Sequence, residues 1–306
     1  MWEFLQEKLN LDLKMTAIYK KKIKNTPYIS STFFKDNSKL GDVLNFCKKN
    51  DILNIELGSN HRYEKNFLTI CKKYNLNYIV HNYFPIPKKS FVVNIASLND
   101  KIRKRSISHV KRSIRFTKSI NSDLYTFHPG FMEDPKSSNK SSKNYDFIWS
   151  KLKKNNYKNV FKQMIISLKE IASYAKKKSV NIAIETEGSF KKKDLLVMQT
   201  PKEFIELFKH FKPKDLGINL NIGHLNLASK AFNFSKKNFV KLLKKYIVAV
   251  EISHNNGLED QHLPIKNNQW YLKLLKSNDL KNALKILEFR NASIKQIKKS
   301  IKILNN

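Results

Sequence analysis

The stretch VNIAIETEG (Val180–Gly188) shows how this chain is built. It is a short apolar run that ends on two glutamates and a glycine, which is typical of a buried strand running into a polar turn. A helical pattern precedes it, with apolar residues spaced three or four apart from Phe161 to Ala175. A helix start follows it, because Thr200 and Pro201 form an N-cap with proline at the first helical position. The local unit is therefore helix, strand, helix.

The same unit recurs along nearly the whole chain, which predicts a parallel α/β fold. Seven more strands are predicted at Tyr28–Phe34, Ile52–Leu57, Asn77–Tyr83, Leu124–His128, Leu216–Asn221, Ile247–Ser253 and Leu284–Phe289. Eight units in roughly 250 residues match the size of a closed (β/α)₈ TIM barrel. An open doubly wound sheet is the competing fold, but the G-x-G-x-x-G turn expected of it does not occur in the sequence.

The chain has no clear internal boundary, so we expect one barrel domain over residues 26–306 with an N-terminal extension over residues 1–25. The extension resembles a short amphipathic helix with Leu5, Leu9 and Leu13 on one face. The polar, unpatterned segment Pro135–Asn144 is interpreted as an exposed loop inside the fourth unit.

The composition is strongly basic, with 59 Lys+Arg against 25 Asp+Glu in 306 residues and a net charge of +34. Lys, Asn, Ile, Phe and Tyr are abundant and all have AT-rich codons, so genomic base bias explains much of this charge. Nucleic-acid binding stays open as an alternative, because a basic surface attracts phosphate. The two cysteines cannot form a disulfide framework, and no apolar run is long enough to span a bilayer. The expected location is the cytoplasm, with no membrane partner.

Side chains that bind metal ions follow the predicted strands at their ends. They are His81, His128, Glu185, Asn221, His224, His254, Asp260, His262 and Glu288. In a barrel these positions meet at the C-terminal mouth, where such folds build their sites. Imidazole and carboxylate together suit Zn²⁺, Mn²⁺, Fe²⁺ or Co²⁺, with Zn or Mn expected here.

An ordered set of motifs resembles one superfamily, the xylose-isomerase-like TIM barrels. The motifs are HNYFP (His81–Pro85), FHPG (Phe127–Gly130), IAIETEG (Ile182–Gly188), NLNIGH (Asn219–His224), ISHNNGLEDQH (Ile252–His262) and LEF (Leu287–Phe289). The superfamily includes sugar-phosphate isomerases and epimerases, and the endonuclease IV group (AP endonuclease family 2). The resemblance extends from about Tyr28 to Phe289.

This resemblance implies between one and three ions. In the three-ion pattern, His81 and His128 serve one ion, with Glu185 bridging to a second that Asn221, His254 and Glu288 also hold. His224, Asp260 and His262 then hold the third. The one-ion pattern uses Glu185, Asn221, His254 and Glu288. The family motif has aspartate at position 221, so Asn221 supplies a neutral amide oxygen and the site loses one negative charge.

Three functions follow from these patterns. The first is a metal-dependent isomerase or epimerase acting on a sugar or sugar phosphate, with Glu185 and Glu288 exchanging protons beside a polarised carbonyl and His224 also in the catalytic set. Its substrate-binding candidates are His61 and Arg62. The second is an endonuclease-IV-like phosphodiesterase acting on abasic DNA, and the third is a non-catalytic barrel. No sequence pattern determines the oligomeric state.

Overall fold

Eight parallel strands close into a barrel in the computed structural model, which describes residues 26–140, 145–149 and 156–305. A separate two-stranded sheet completes the described strands. In chain order the strands are β1 (Tyr28–Ser30), β2 (Asn54–Leu57), β3 (Asn77–His81), β4 (Leu124–Phe127), β5 (Ser137–Lys140), β6 (Tyr145–Ile148), β7 (Asn181–Glu185), β8 (Gly217–Asn221), β9 (Ile247–Ile252) and β10 (Leu284–Leu287). Around the barrel the order is β1, β10, β9, β8, β7, β4, β3, β2.

Helices lie between the barrel strands and after the last of them. They are α1 (Leu40–Lys49), α2 (Phe67–Tyr74), α3 (Asp100–Ser119), α4 (Tyr157–Lys178), α5 (Pro201–Leu207), α6 (Ile222–Phe232), α7 (Lys236–Leu243), α8 (Trp270–Leu275) and α9 (Ile294–Asn305). The predicted (β/α)₈ barrel is confirmed, and the open doubly wound sheet is excluded by the closed ring.

The segment predicted as a plain loop, Pro135–Asn144, contains a strand. Its residues Ser137–Lys140 form β5, which pairs antiparallel with β6 in a hairpin between β4 and β7. The sequence pattern missed β5 because SSNK has no apolar alternation, while ladder pairing needs only backbone N–H and C=O groups. The first barrel strand is also shorter than predicted, since a 3₁₀ turn over Ser31–Phe33 follows it.

The predicted helix start at Thr200 is present as a complete capping box. The Thr200 hydroxyl accepts a hydrogen bond from the Glu203 backbone N–H, and the Glu203 carboxylate accepts one from the Thr200 N–H. This arrangement satisfies two N–H groups that have no partner inside the helix, and Pro201 has no N–H to satisfy.

The apolar residues divide into two layers. A large cluster fills the space between the strands and the surrounding helices. A small cluster lies inside the barrel, where five strands each contribute one side chain, namely Ile79, Leu124, Ala183, Ala249 and Ile286. Burial of each large side chain contributes about 1.5–3 kcal/mol. The inner layer forms the floor beneath the mouth of the barrel.

The positive charge is spread around the exterior. Each helix described carries an exposed lysine, as shown by Lys48, Lys72, Lys104, Lys162, Lys202, Lys230, Lys241, Lys273 and Lys298. This spread is the pattern expected from a compositional bias. Within the described residues, no helix is long and apolar enough to cross a membrane. The predicted N-terminal amphipathic helix lies outside the described residues, so the boundary at residues 25 and 26 stays a prediction.

Candidate metal centre

A polar layer lies directly above the apolar floor of the barrel. Side chains alternate between the two faces of a strand, so the residue two positions after a floor residue also points into the barrel. Counting forward by two from each floor residue reaches His81, Thr126, Glu185, Glu251 and Glu288. All but Glu288 are fully buried, and the Glu288 side chain is 13% exposed. The geometry of the strands thus brings carboxylates and imidazoles together at the C-terminal mouth.

The first group of metal-competent side chains consists of His81, His128 and Glu185. Glu185 Oε2 lies 3.5 Å from His81 Nε2 and 3.5 Å from His128 Nδ1. Ligands placed about 2.0–2.1 Å from a tetrahedral zinc ion are themselves about 3.3 Å apart. Glu185 Oε2 is buried and has no hydrogen-bond partner among the described residues. The separation between His81 Nε2 and Glu185 Oε2 fits a divalent ion, and His128 completes the group.

Two neighbours hold the imidazoles of this group. His81 Nδ1 hydrogen-bonds with the Thr126 hydroxyl at 2.8 Å, which directs Nε2 towards Glu185. Glu187 Oε1 lies 2.6 Å from His128 Nδ1, so Nε2 is the nitrogen of His128 left for an ion. Glu187 is not among the residues predicted from the sequence, although it lies only two positions after Glu185, in the loop after β7.

The second group consists of His224, Asp260 and His262. Asp260 Oδ2 lies 2.8 Å from His262 Nε2 and 3.6 Å from His224 Nε2. The Thr186 carbonyl lies 2.8 Å from His224 Nδ1. Since a carbonyl only accepts, Nδ1 carries a proton, and Nε2 is the nitrogen that would face an ion held with Asp260. Asp260 Oδ1 is buried without a hydrogen-bond partner.

Gly188 is required for the position of His224. A Cβ at residue 188 would lie 2.0 Å from the His224 carbonyl oxygen, which is far inside van der Waals contact. The loop after β7 therefore packs directly against the first turn of α6, and only glycine allows this approach.

Between the two groups lies a cluster of carboxylates around one amide. Asn221 Nδ2 donates towards Glu185 Oε1 at 2.9 Å, Glu251 Oε2 at 3.0 Å and Glu288 Oε2 at 3.3 Å. Its Oδ1 accepts from the His224 N–H at 3.1 Å and so caps α6. The amide oxygen expected to bind an ion is thus directed at a helix terminus.

His254 is the predicted ligand that the structure does not bring into this cluster. Its ring packs against Tyr271 with 6.3 Å between centroids, and its backbone pairs with Leu263. Glu251 occupies the position that was expected for His254. Glu251 lies two residues after Ala249 of the floor and so points into the barrel, whereas His254 lies five residues after Ala249 and does not. Period-2 counting along IVAVEISH separates Glu251 from His254, but only the register with the neighbouring strands shows which of the two faces inwards.

A buried glutamate on β2, Glu56, adds another carboxyl group to the barrel interior. It is fully buried, and together with His81 and Glu251 it forms a third set of residues able to hold a cation. Burial, reinforced by the charges of Glu288 and Glu185, raises the pKa of Glu56 to about 8. Burial likewise raises the pKa of Glu251 well above its usual range. Both carboxyl groups therefore hold their protons to a higher pH than an exposed glutamate does.

In the two metal-competent groups, unlike at Glu56 and Glu251, neighbouring residues of opposite charge favour the charged forms. Burial opposes the charge of His128 and His262, but the carboxylates beside them raise both pKa values to about 9. Despite burial, the imidazoles around Asp260 hold the pKa of its carboxyl group well below the usual range. His81 is an exception, since burial lowers its pKa to about 4. Without metal ions, imidazolium and carboxylate neutralise one another in these groups.

The predicted substrate-binding residues lie on the loop after β2. His61 is buried, with Nε2 3.0 Å from the Ser31 hydroxyl and its ring edge-on to Phe84. Phe84 of the next loop covers the His61 ring, so the ring does not lie on the surface. Arg62 is exposed, and its backbone N–H donates to the Ser38 carbonyl at 3.0 Å.

Comparison with known proteins places this barrel in a family. Residues 48–306 match the model of the family described as xylose isomerase-like TIM barrel, and the chain belongs to this family. The chain is 28% identical over 273 residues to MJ1614, an uncharacterized protein of Methanocaldococcus jannaschii, covering 87% of this chain and 92% of that protein.

Solved structures with the same fold include sugar epimerases. A D-tagatose 3-epimerase-like protein is 21% identical, with a TM-score of 0.67 over 91% of this chain and 98% of that chain. A D-psicose 3-epimerase studied in the presence of D-fructose is 13% identical, with a TM-score of 0.64 over 92% of this chain and 96% of that chain.

Proposed function

We propose that the protein is a divalent-metal-dependent isomerase or epimerase acting on a sugar or sugar phosphate. The observation that carries this proposal is the arrangement around Asn221. Glu185 and Glu288 both contact its amide, at 2.9 and 3.3 Å, immediately beside the first metal-competent group. A carbon held at this point would have carboxylates from β7 and from the end of β10 within reach.

The chemistry assigns different roles to these residues. His81, His128 and Glu185 would hold the ion, which when bound polarises a substrate carbonyl and its neighbouring hydroxyl. Glu288, the more exposed carboxylate, takes the proton from the carbon next to the carbonyl. In an isomerisation Glu288 then gives this proton to the neighbouring carbon. In an epimerisation Glu185 gives a proton to the opposite face of the same carbon and recovers one from Glu288. His262, whose Nδ1 lies 3.1 Å from Glu288 Oε2, holds Glu288 in position. Zn²⁺ and Mn²⁺ suit the histidine and carboxylate ligands.

Deuterium incorporation tests this function most directly. The protein is loaded with Zn²⁺ or Mn²⁺ and incubated in D₂O with a panel of ketoses, aldoses and their phosphates. Proton transfer at carbon gives deuterated sugar, detected by mass spectrometry, even when conversion is slight. We expect exchange with at least one substrate and its loss in Glu288→Gln. Absence of exchange across the panel with fully loaded protein would reject the proposal.

One observation favours a second candidate, a metal phosphodiesterase acting on abasic DNA. The second group, His224, Asp260 and His262, has three side chains close enough to hold a further ion, and Glu185 Oε1 lies 3.1 Å from His224 Nδ1. Two neighbouring ions suit in-line displacement at phosphorus, whereas proton transfer at carbon needs only a single ion. Incision of an abasic duplex, with steep salt dependence and no cleavage of undamaged duplex, would establish this alternative.

A further inference from the structure

The orientation of the Asn221 side chain is determined by the helix that follows it. Asn221 is the N-cap of α6, and its Oδ1 accepts the His224 N–H. Turning the amide over would remove this acceptor and would direct an oxygen at three carboxylates. The helix terminus and the carboxylates therefore require the same orientation, in which the NH₂ group points into the mouth of the barrel.

The NH₂ group occupies the place that the family resemblance implies for a shared ion. That ion would need a carboxylate at position 221 and an imidazole from the strand corresponding to β9. Here Asn221 directs a hydrogen-bond donor inwards, His254 lies outside, and Glu251 supplies a carboxyl group. An ion at this point would meet an N–H donor at contact distance. The residues present do not fit a central ion.

The centre of the mouth has as many carboxylates in this chain as in the ligand set that the family resemblance implies. The carboxylate missing at position 221 reappears on the neighbouring strand, because Asn221 and Glu251 are direct partners in the β8–β9 ladder. Asn219, one layer deeper, donates from Nδ2 to Glu251 Oε1 at 2.6 Å. Two amides thus hold Glu251 from the same side.

We infer that the centre of this mouth is closed to metal ions, and that Asn221 cross-links Glu185, Glu251 and Glu288 in place of a cation. Ions enter the two flanking groups, His81–His128–Glu185 and His224–Asp260–His262. The third set, Glu56–His81–Glu251, has no imidazole nitrogen left for an ion, because the Thr126 hydroxyl holds His81 Nδ1, the nitrogen near Glu251, and Nε2 faces Glu185. This inference rests on the proposed metal dependence for its account of the flanking groups. Its consequence for chemistry is that Glu251 and Glu288 stay free of metal and remain available for proton transfer.

Metal content and position test the inference. Full-length protein is saturated with Zn²⁺, its zinc-to-protein ratio is measured by plasma mass spectrometry, and the ions are located by anomalous scattering. We expect two ions for each chain, one in each flanking group. A third ion coordinated by Glu251 and Glu288 in the natural protein would overturn the inference.

A double variant tests the cause of the closure. Asn221→Asp with Glu251→His restores the aspartate and the imidazole implied for a central ion, and we expect it to raise the ratio from two to three. Asn219→Asp is the matched control, since it makes the same amide-to-carboxylate change on the same strand, where the side chain of Asn219 hydrogen-bonds only with Glu251 among the described residues. We expect its ratio to remain two.

The outcomes separate this inference from the proposed function. If the natural protein binds no zinc but the folded double variant binds a central ion, the metal-dependent function fails and the closure stands. If the double variant folds, as judged by circular dichroism, and gains no central ion, the closure by Asn221 is rejected while the flanking sites and the proposed function remain. Activity is not needed for either measurement.

Discussion

Glu187 Oε1 lies 2.6 Å from His128 Nδ1, and this contact connects the loop after β7 to the first metal-competent group. A carboxylate that orients a ligating imidazole typically changes metal affinity by about 10- to 100-fold. We expect Glu187→Gln to weaken zinc binding by at least about 10-fold while the fold is retained. Competition with a chromophoric chelator measures the affinity.

Glu206→Gln, at an exposed position on the outer helix α5, is the control for Glu187→Gln and should leave zinc affinity unchanged. Equal affinities in Glu187→Gln and the natural protein would show that Glu187 does not hold His128 in its binding orientation.

Gly188 and Gly41 are two glycines for which alanine should have opposite effects. Gly188→Ala places a Cβ 2.0 Å from the His224 carbonyl oxygen, so we expect destabilisation of several kcal/mol and displacement of His224. Gly41 lies in α1 with its nearest neighbour 3.9 Å from an added Cβ, and Gly41→Ala should stabilise the protein by about 0.5–1 kcal/mol. Thermal unfolding distinguishes them, and a higher midpoint for Gly188→Ala would contradict the close approach of the loop to α6.

His254 and His262 provide a matched pair for the metal centre. His254 lies beside Tyr271, whereas His262 Nε2 contacts Asp260 at 2.8 Å. We expect His254→Gln to leave the zinc-to-protein ratio unchanged and His262→Gln to reduce it by one. The ratio is measured after saturation and desalting. Loss of an ion from His254→Gln would mean that His254, in the loop after β9, binds one of the ions.

His109, on α3, should make the protein sensitive to mild acid. Its ring is buried against Tyr83 and Phe91, and burial, with the nearby charge of Arg112, lowers its pKa from 6.5 to about 4. The unfolded chain binds this proton below about pH 6.5 and the folded chain only below about pH 4. Stability is therefore complete above pH 6.5 and falls by on the order of 3 kcal/mol as the pH decreases to 4.

The measurement is urea unfolding at pH 7 and at pH 4.5. His109→Gln should lose less stability between these two values than the natural protein, since glutamine has no proton to bind. His210→Gln, at an exposed position on the outside of the barrel, should match the natural protein. Identical losses in all three proteins would show that His109 is not the group responsible.

Alternating strands and helices, readable along the chain, determined the barrel. Each unit such as Phe161–Gly188 carries its own helical spacing, apolar run and turn, and these are local properties of the sequence. Eight such units close into a ring whose C-terminal ends share one mouth, so His81, His128, Glu185, His224 and Glu288 could be placed together from their positions alone. The hairpin of β5 and β6 could not be predicted from the sequence, because the residues SSNK of β5 carry no apolar pattern.

Only the tertiary structure decided which side chain of β9 faces the mouth and what Asn221 does there. Side chains alternate at every residue, so an error of one position exchanges the two faces of a strand, and the choice between Glu251 and His254 depends on the register with neighbouring strands. The amide of Asn221 is oriented by a helix N-terminus and by carboxylates from β7, β9 and the end of β10. The three carboxylates are 30 to 67 residues distant from Asn221 in sequence, and they become its neighbours only when the barrel closes.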